Sequence, residues 1–351
     1  MKWAQTKAGT LLACVALAVL ASLVVAGSAL AAITVTGAGA TFPYPLYAKW
    51  AKDYQSATGV KINYQPIGSG GGISAIEGGT VMFGGTDAPL QLADLNSHSL
   101  VQFPMTSGGV VPIVHISGVG AGRLKLTGAV LADIYMKKIT KWNDSRIKSL
   151  NPGLSLPSSS IVAVHRSDGS GTTWIFTHYL QAVSSWPWAD KTGSWPTGIG
   201  GKGSEGVASL VQKDANSIGY IEYSYAKQNH MAYTQMKDKS GGWVLPSAGS
   251  FKAAMSKAKW SASNGFYTVC VNESGANAWP IAGATFLLVK KSTSNYSTAH
   301  AMFKFFDWGY KSSKAISDSA SLQYVPIPSK VYGSVESVWH KQVKAGGKAA
   351  W

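Results

Sequence analysis

Three short turns hold the residues best suited to chemistry in this chain of 351 residues: Gly37–Phe42 (GAGATF), Ile67–Gly72 (IGSGGG) and Arg166–Thr172 (RSDGSGT). Each combines glycine with serine or threonine, and each leads into a stretch with helical spacing. Such a turn offers unpaired backbone N–H groups and hydroxyls at the positive end of a helix dipole, which suits an oxyanion. Arg166 adds a planar, charged fork that can reach two oxygens at once. Asp168 follows closely enough to brace that fork, although Asp-Gly is also a common turn former. Joined by one Arg and one Asp, the turns read as a site built around a single tetrahedral anion.

The elements that must position these turns alternate between strand-like and helix-like, the pattern of an α/β protein. Ile33–Thr36 enters the first turn, and Leu46, Trp50 and Tyr54 then recur at helical spacing. Val60, Ile62 and Tyr64 alternate as a strand before the second turn, with Ile73 and Ile76 following at helical spacing. Ile161–Val164 runs into the third turn, after which Ile175 pairs with Tyr179 and Phe176 with Leu180. Each turn therefore lies between the carboxyl end of a strand and the amino end of a helix, the edge where open α/β sheets collect ligands. Further strand-like runs are Val110–Ile116, Ile218–Tyr225 and Thr285–Val289; Val130–Tyr135 and Ala301–Tyr310 are helix-like. Ser184–Gly206, with Trp186, Trp188 and Trp195 among Gly, Ser and Pro, reads as a loop.

Composition narrows the class. Lys2 and Lys7, the apolar run Leu11–Ala26 and the small residues Ser28-Ala29-Leu30-Ala31 make a cleavable secretory signal peptide over residues 1–31. Cys14 comes too early, with apolar sequence still to follow, for a lipid acceptor. Past the signal only Cys270 remains, so no intramolecular disulfide is expected despite an oxidising compartment. Lys and Arg number 31 against 16 Asp and Glu, a net +15 that becomes +13 without the two signal lysines. The lysines are scattered, with no basic run and no nucleic-acid motif, so attraction of small anions fits better than nucleic acid. Few carboxylates also suit acidic surroundings, since little stability is lost as they protonate.

Catalysis finds little support. There is no G-x-S-x-G, and His98, His115, His165, His178, His230, His300 and His340 are dispersed without metal-ligand spacing. His165 adjoins Arg166 but should point to the opposite face of its strand. Gly198–Gly203 (GIGGKG) lacks the Ser or Thr that a P-loop places after Gly-Lys. No enzyme activity, cofactor or metal is expected.

Taken in order, Gly37–Phe42, Ile67–Gly72, Phe83–Leu90 (FGGTDAPL), Trp142-Asn143-Asp144, Arg166–Thr172 and Ala278-Trp279-Pro280-Ile281 resemble the periplasmic phosphate-binding proteins of phosphate ABC transporters. The likeness continues through Gly198–Gly203, Ile218–Asn229 and Phe305–Trp308. It implies a two-lobe periplasmic-binding-protein fold, each lobe a mixed sheet flanked by helices, with the ligand cleft between them. One lobe would comprise residues 32–106 plus 276–351, the other 107–275. The resemblance assigns phosphate contacts to Thr41, the Phe42 N–H, Ser69, Asp87, Arg166, Ser170, Gly171 and Thr172, with Asp168 behind Arg166. It implies a monomer in the periplasm that hands phosphate to membrane permease subunits. Gly70 and Met82 depart from the usual pattern without touching an expected ligand.

Asp87 sharpens the reading. A carboxylate beside an anion repels it unless the anion carries a proton to donate, as HPO4 and H2PO4 do and sulfate does not. The alternative is a helix N-cap before Ala88-Pro89. Thr41, Ser69 and Ser170 have similar alternatives as caps and turn formers. A receptor for another tetrahedral oxyanion, or a secreted phosphohydrolase, remains a competing reading.

Overall fold

Strand β1 (Thr34–Gly39) is central to one half of the main sheet in the computed structural model, which describes residues 33–351. The expected signal peptide lies outside the described residues. Parallel to β1 run β2 (Lys61–Gln65) on one side and β3 (Phe83–Thr86) on the other. The long strand β4 (Leu100–His115) lies further across. The second half contains β5 (Val162–Arg166), β6 (Ile199–Gly201) and β7 (Ser217–Glu222), and β8 (Ala282–Lys290) returns to the first half. The order is β2-β1-β3-β8-β4-β7-β5-β6. Two short segments, Val325–Pro326 and Ala232–Tyr233, pair with β4 outside that path.

β4 joins the halves because it changes partner midway. Residues 100–109 pair antiparallel with β8, ending at Gly109↔Ala282. Residues 110–115 pair antiparallel with β7, beginning at Val110↔Glu222. All but the last residue of β4 are buried, as expected of a strand with elements on both faces.

The helices follow the spacing read from sequence. Helix α1 (Tyr44–Thr58) buries Leu46, Trp50 and Tyr54 and ends at Gly59, whose φ of 77° accommodates the left-handed turn. Helix α2 (Ser69–Glu77) buries Ile73 and Ile76. Helix α3 (Gly128–Tyr135) lies against α4 (Gly171–Val183), which buries Ile175, Phe176, Tyr179 and Leu180. The span expected as a loop, 184–206, is a loop only to residue 198. Beyond it β6 pairs parallel with Val164–Arg166, and helix α5 (Gly203–Lys213) begins. Sheet pairing is a long-range gain that local Gly-Ser content does not register. The strand expected over Ile218–Tyr225 likewise stops at Glu222, where its carboxylate caps the short helix α6 (Tyr223–Gln228). The aromatic run near the carboxyl end is core: Phe303, Phe305 and Phe306 of α7 (Tyr296–Lys311) are buried. No described helix is long and apolar enough to cross a membrane.

Candidate functional site

Close backbone packing brings the first two turns together. At Gly72 an added Cβ would lie 2.4 Å from Gly39 Cα, and at Gly39 it would lie 2.1 Å from the Gly85 carbonyl oxygen. Neither approach tolerates a side chain, so the glycines seat α2 against the ends of β1 and β3. That seating carries Ser69, the first residue of α2, to Asp87 just past β3: the Asp87 N–H donates to Ser69 Oγ at 3.2 Å.

The third turn meets the second directly. The Gly171 N–H donates to the same Ser69 oxygen at 3.0 Å, and the Gly70 N–H donates to the Gly169 carbonyl at 2.8 Å. Ser170 caps α4, accepting from the Thr173 N–H at 3.0 Å, so its turn role is realised here. Thr172 Oγ1 is buried with no hydrogen-bond partner within the protein.

Arg166 ends β5 with its side chain almost wholly buried. Its Nε and Nη2 donate to the two carboxylate oxygens of Asp168 at 2.7 and 2.5 Å, the brace expected from sequence. Its Nη1 donates to Thr41 Oγ1 at 3.2 Å. Burial works to raise the Asp168 carboxyl, but the hydrogen bonds and charge of Arg166 and the Gly203 N–H outweigh it. The group is held below the usual carboxylate range. A buried guanidinium without such a partner would be strongly destabilising.

Thr41 does not cap α1. Its hydroxyl lies 2.9 Å from Ser204 Oγ at the start of α5, and its carbonyl accepts from the Tyr44 N–H. Phe42 is fully buried and closes the inner side of the turn.

Asp87 caps no helix either: the nearest, residues 92–97, begins five positions later. Its carboxylate is 1% exposed, and neither oxygen has a hydrogen-bond partner within the protein. Burial pushes it up to about 7, against smaller lowering by the Arg166 charge and by the neighbouring Thr285 hydroxyl, whose hydrogen bond goes to the Thr86 carbonyl rather than to Asp87. A buried acceptor of this kind calls for a donor. Thr41, Phe42, Ser69, Asp87, Arg166, Ser170, Gly171 and Thr172 thus come from separate turns to one buried locus. Around it stand amides, hydroxyls, one guanidinium and one unsatisfied carboxyl.

Sequence reasoning missed three contributors. Ser204 and the Gly203 N–H, which donates to Asp168 at 3.0 Å, belong to a Gly-Lys-Gly-Ser turn that opens α5. Its composition matches the other three turns and was the available signal. Tyr220 accepts from the Arg166 N–H at 3.2 Å and lies 2.6 Å from Thr173 Oγ1; nothing local marks it. His165, as expected, faces away: its ring stacks on Trp195 with centroids 4.8 Å apart. A cavity of about 250 Å³ adjoins the locus, lined by Thr41, Tyr44, Ile67, Asp168, Lys202 and Tyr225 among others.

Comparison with known proteins places the chain in a family. A family model described as a PBP superfamily domain matches residues 24–312. The phosphate-binding protein PstS of Pasteurella multocida is 48% identical over 324 residues, covering 91% of this chain and 93% of that protein. The phosphate-binding protein PstS of Methanocaldococcus jannaschii is 38% identical, covering 79% and 78%. Among solved structures, the periplasmic phosphate-binding protein PfluDING bound with phosphate aligns with a TM-score of 0.73 at 21% identity, covering 87% of this chain and 94% of that one. At that identity the likeness supports the fold.

Proposed function

The chain belongs to the PstS phosphate-binding protein family of the PBP superfamily, and from that premise we propose that it captures inorganic phosphate and releases it to an ABC-type permease. The observation that carries the ligand reading is Asp87, a buried carboxyl without a partner in the midst of anion donors. A protonated phosphate donates one hydrogen bond to it, while its other oxygens accept from Arg166, the Thr41, Ser69, Ser170 and Thr172 hydroxyls, and the Phe42, Gly171 and Thr172 amides. Sulfate has no proton to give and leaves an ionised Asp87 unsatisfied; a neutral Asp87, the main form below about pH 7, can donate to sulfate, so exclusion is strongest above that pH. Asp168 holds the guanidinium in place and offsets its charge.

The partner switch in β4 supports a division into lobes of residues 32–106 plus 276–351 and 107–275. Thr41, Phe42, Ser69 and Asp87 then lie on one side and Arg166 to Thr172 on the other. Phosphate contacts from both sides would stabilise the shut form in a hinge motion. The names of the relatives support binding rather than catalysis, and a net charge of +13 once Lys2 and Lys7 are removed favours anion capture at low salt. Work in the periplasm as a monomer, after removal of residues 1–31, completes the proposal.

Isothermal titration of phosphate-free protein with phosphate, arsenate and sulfate at about pH 8, where Asp87 is mostly ionised, tests it. Tight phosphate binding with no sulfate response at millimolar concentration (about the weak-binding limit) is expected. Equal affinity for sulfate would move the reading to a general oxyanion receptor.

A further inference from the structure

Two neighbouring residues at the opening of α5 hold both ends of the arginine brace. The Gly203 N–H donates to Asp168 Oδ1 at 3.0 Å, Asp168 accepts from Arg166 Nε and Nη2, and Arg166 Nη1 donates to Thr41 Oγ1 at 3.2 Å. Thr41 Oγ1 in turn lies 2.9 Å from Ser204 Oγ, which closes the ring. Gly203 has a φ of 69°, a left-handed conformation that glycine adopts without strain, and the chain enters α5 with Ser204 beside Thr41. Both hydroxyls are buried, and among the described residues that of Ser204 meets no other hydrogen-bond partner.

This ring restricts where the protons can go. A guanidinium only donates, so Thr41 accepts from Arg166 with one of its two lone pairs. The contact with Ser204 has two possible senses. If Thr41 donates to Ser204, its single proton is spent and its oxygen turns a lone pair toward the phosphate, which repels it. If Ser204 donates, both lone pairs of Thr41 are occupied and its proton is left for the anion. Backbone groups arrange Ser69 in the same way: its oxygen accepts from the Asp87 and Gly171 N–H groups, so its proton too is left for the anion.

We propose that Ser204 is a positioning residue for phosphate: it donates to Thr41 and so aims the Thr41 proton at the anion, without binding the anion itself. The inference rests on the phosphate-binding reading above. It makes the Gly-Lys-Gly-Ser turn a fourth part of the site, acting through Asp168 and Arg166 from one residue and through Thr41 from the next.

The test is calorimetric titration of phosphate-free protein with inorganic phosphate in wild type, S204A, T41S, T41V and the two double variants. Ser204 is the second residue of α5 and its side chain caps no helix N–H, so alanine leaves the helix intact. S204A should weaken phosphate binding by about tenfold, and by the same factor in T41S, which keeps the hydroxyl. In T41V, which has no proton to aim, S204A should change affinity by less than about twofold. S204C, close in shape but with a weak S–H donor, should weaken binding in the same sense and serves if S204A lacks a cooperative urea transition. Wild-type affinity in S204A or S204C overturns the proposal. A loss of equal size in T41V also overturns it, since Ser204 would then act by packing or by touching the anion directly. If wild type itself gives no phosphate heat, the phosphate-binding reading falls, a result distinct from these.

Discussion

Replacing Asp87 with Asn should remove about 3 kcal/mol of the stability that the ligand-free protein loses between pH 5 and pH 8. The carboxyl moves from an ordinary 3.8 in the unfolded chain up to about 7 in the folded protein, chiefly through burial. The folded protein therefore binds the proton more tightly, and its advantage is fully present below the unfolded value and lost as pH rises through the folded one. One unit corresponds to about 1.4 kcal/mol, so the whole change is about 4 kcal/mol, of which about 3 kcal/mol falls between pH 5 and pH 8. At 1% exposure there is little solvent screening to discount. Asn has nearly the shape of the neutral acid and does not titrate, so the variant should gain on wild type by about 3 kcal/mol over that interval. Glu222, the other carboxyl that burial raises, is present in both proteins, and only the small rise that the Asp87 charge adds to it differs between them. The assay is urea unfolding of phosphate-free protein at several pH values, with midpoints and slopes fitted together. A gap between the variants that stays constant to within about 0.5 kcal/mol would falsify the claim that Asp87 is held uncompensated by burial.

The remaining expectations concern the same locus. Arg166→Ala should weaken phosphate binding by about 3–5 kcal/mol in calorimetry, since it removes the buried guanidinium and leaves the partly buried Asp168 carboxylate uncompensated beside the anion; near-normal affinity would remove Arg166 from the site. Asp87→Asn should also admit sulfate, because the amide can donate where the carboxylate cannot; sulfate that still gives no heat argues against Asp87 reading a ligand proton. Gly72→Ala should cost about 1–3 kcal/mol in chemical unfolding, since its Cβ would lie 2.4 Å from Gly39 Cα and 2.7 Å from the Gly85 carbonyl oxygen. An unchanged midpoint would mean that α2 shifts freely, and the close seating would then not be what places Ser69.

Local chemistry made much of this protein readable as a string of residues. The three Gly-rich turns, their place between strand and helix, and the Arg166–Asp168 brace all depend on neighbours within a few positions. So do the helix faces Leu46/Trp50/Tyr54 and Ile175/Tyr179, whose spacing fixes what they bury. What the string left open is what depends on distant partners. It showed Asp87 as either a cap or a ligand group; the tertiary structure decided against the cap by leaving both oxygens buried and unpaired. The Thr41–Ser204 contact spans 163 residues, and the Tyr324–Phe42 bond spans 282, so no local pattern marks either. The span after Trp195 turned from loop to strand because β5 offered it hydrogen bonds, not because its own residues favour extension. Turn chemistry is written in sequence because its forces act over a few bonds; burial and its consequences for a carboxyl's proton exist only once the chain has closed around it.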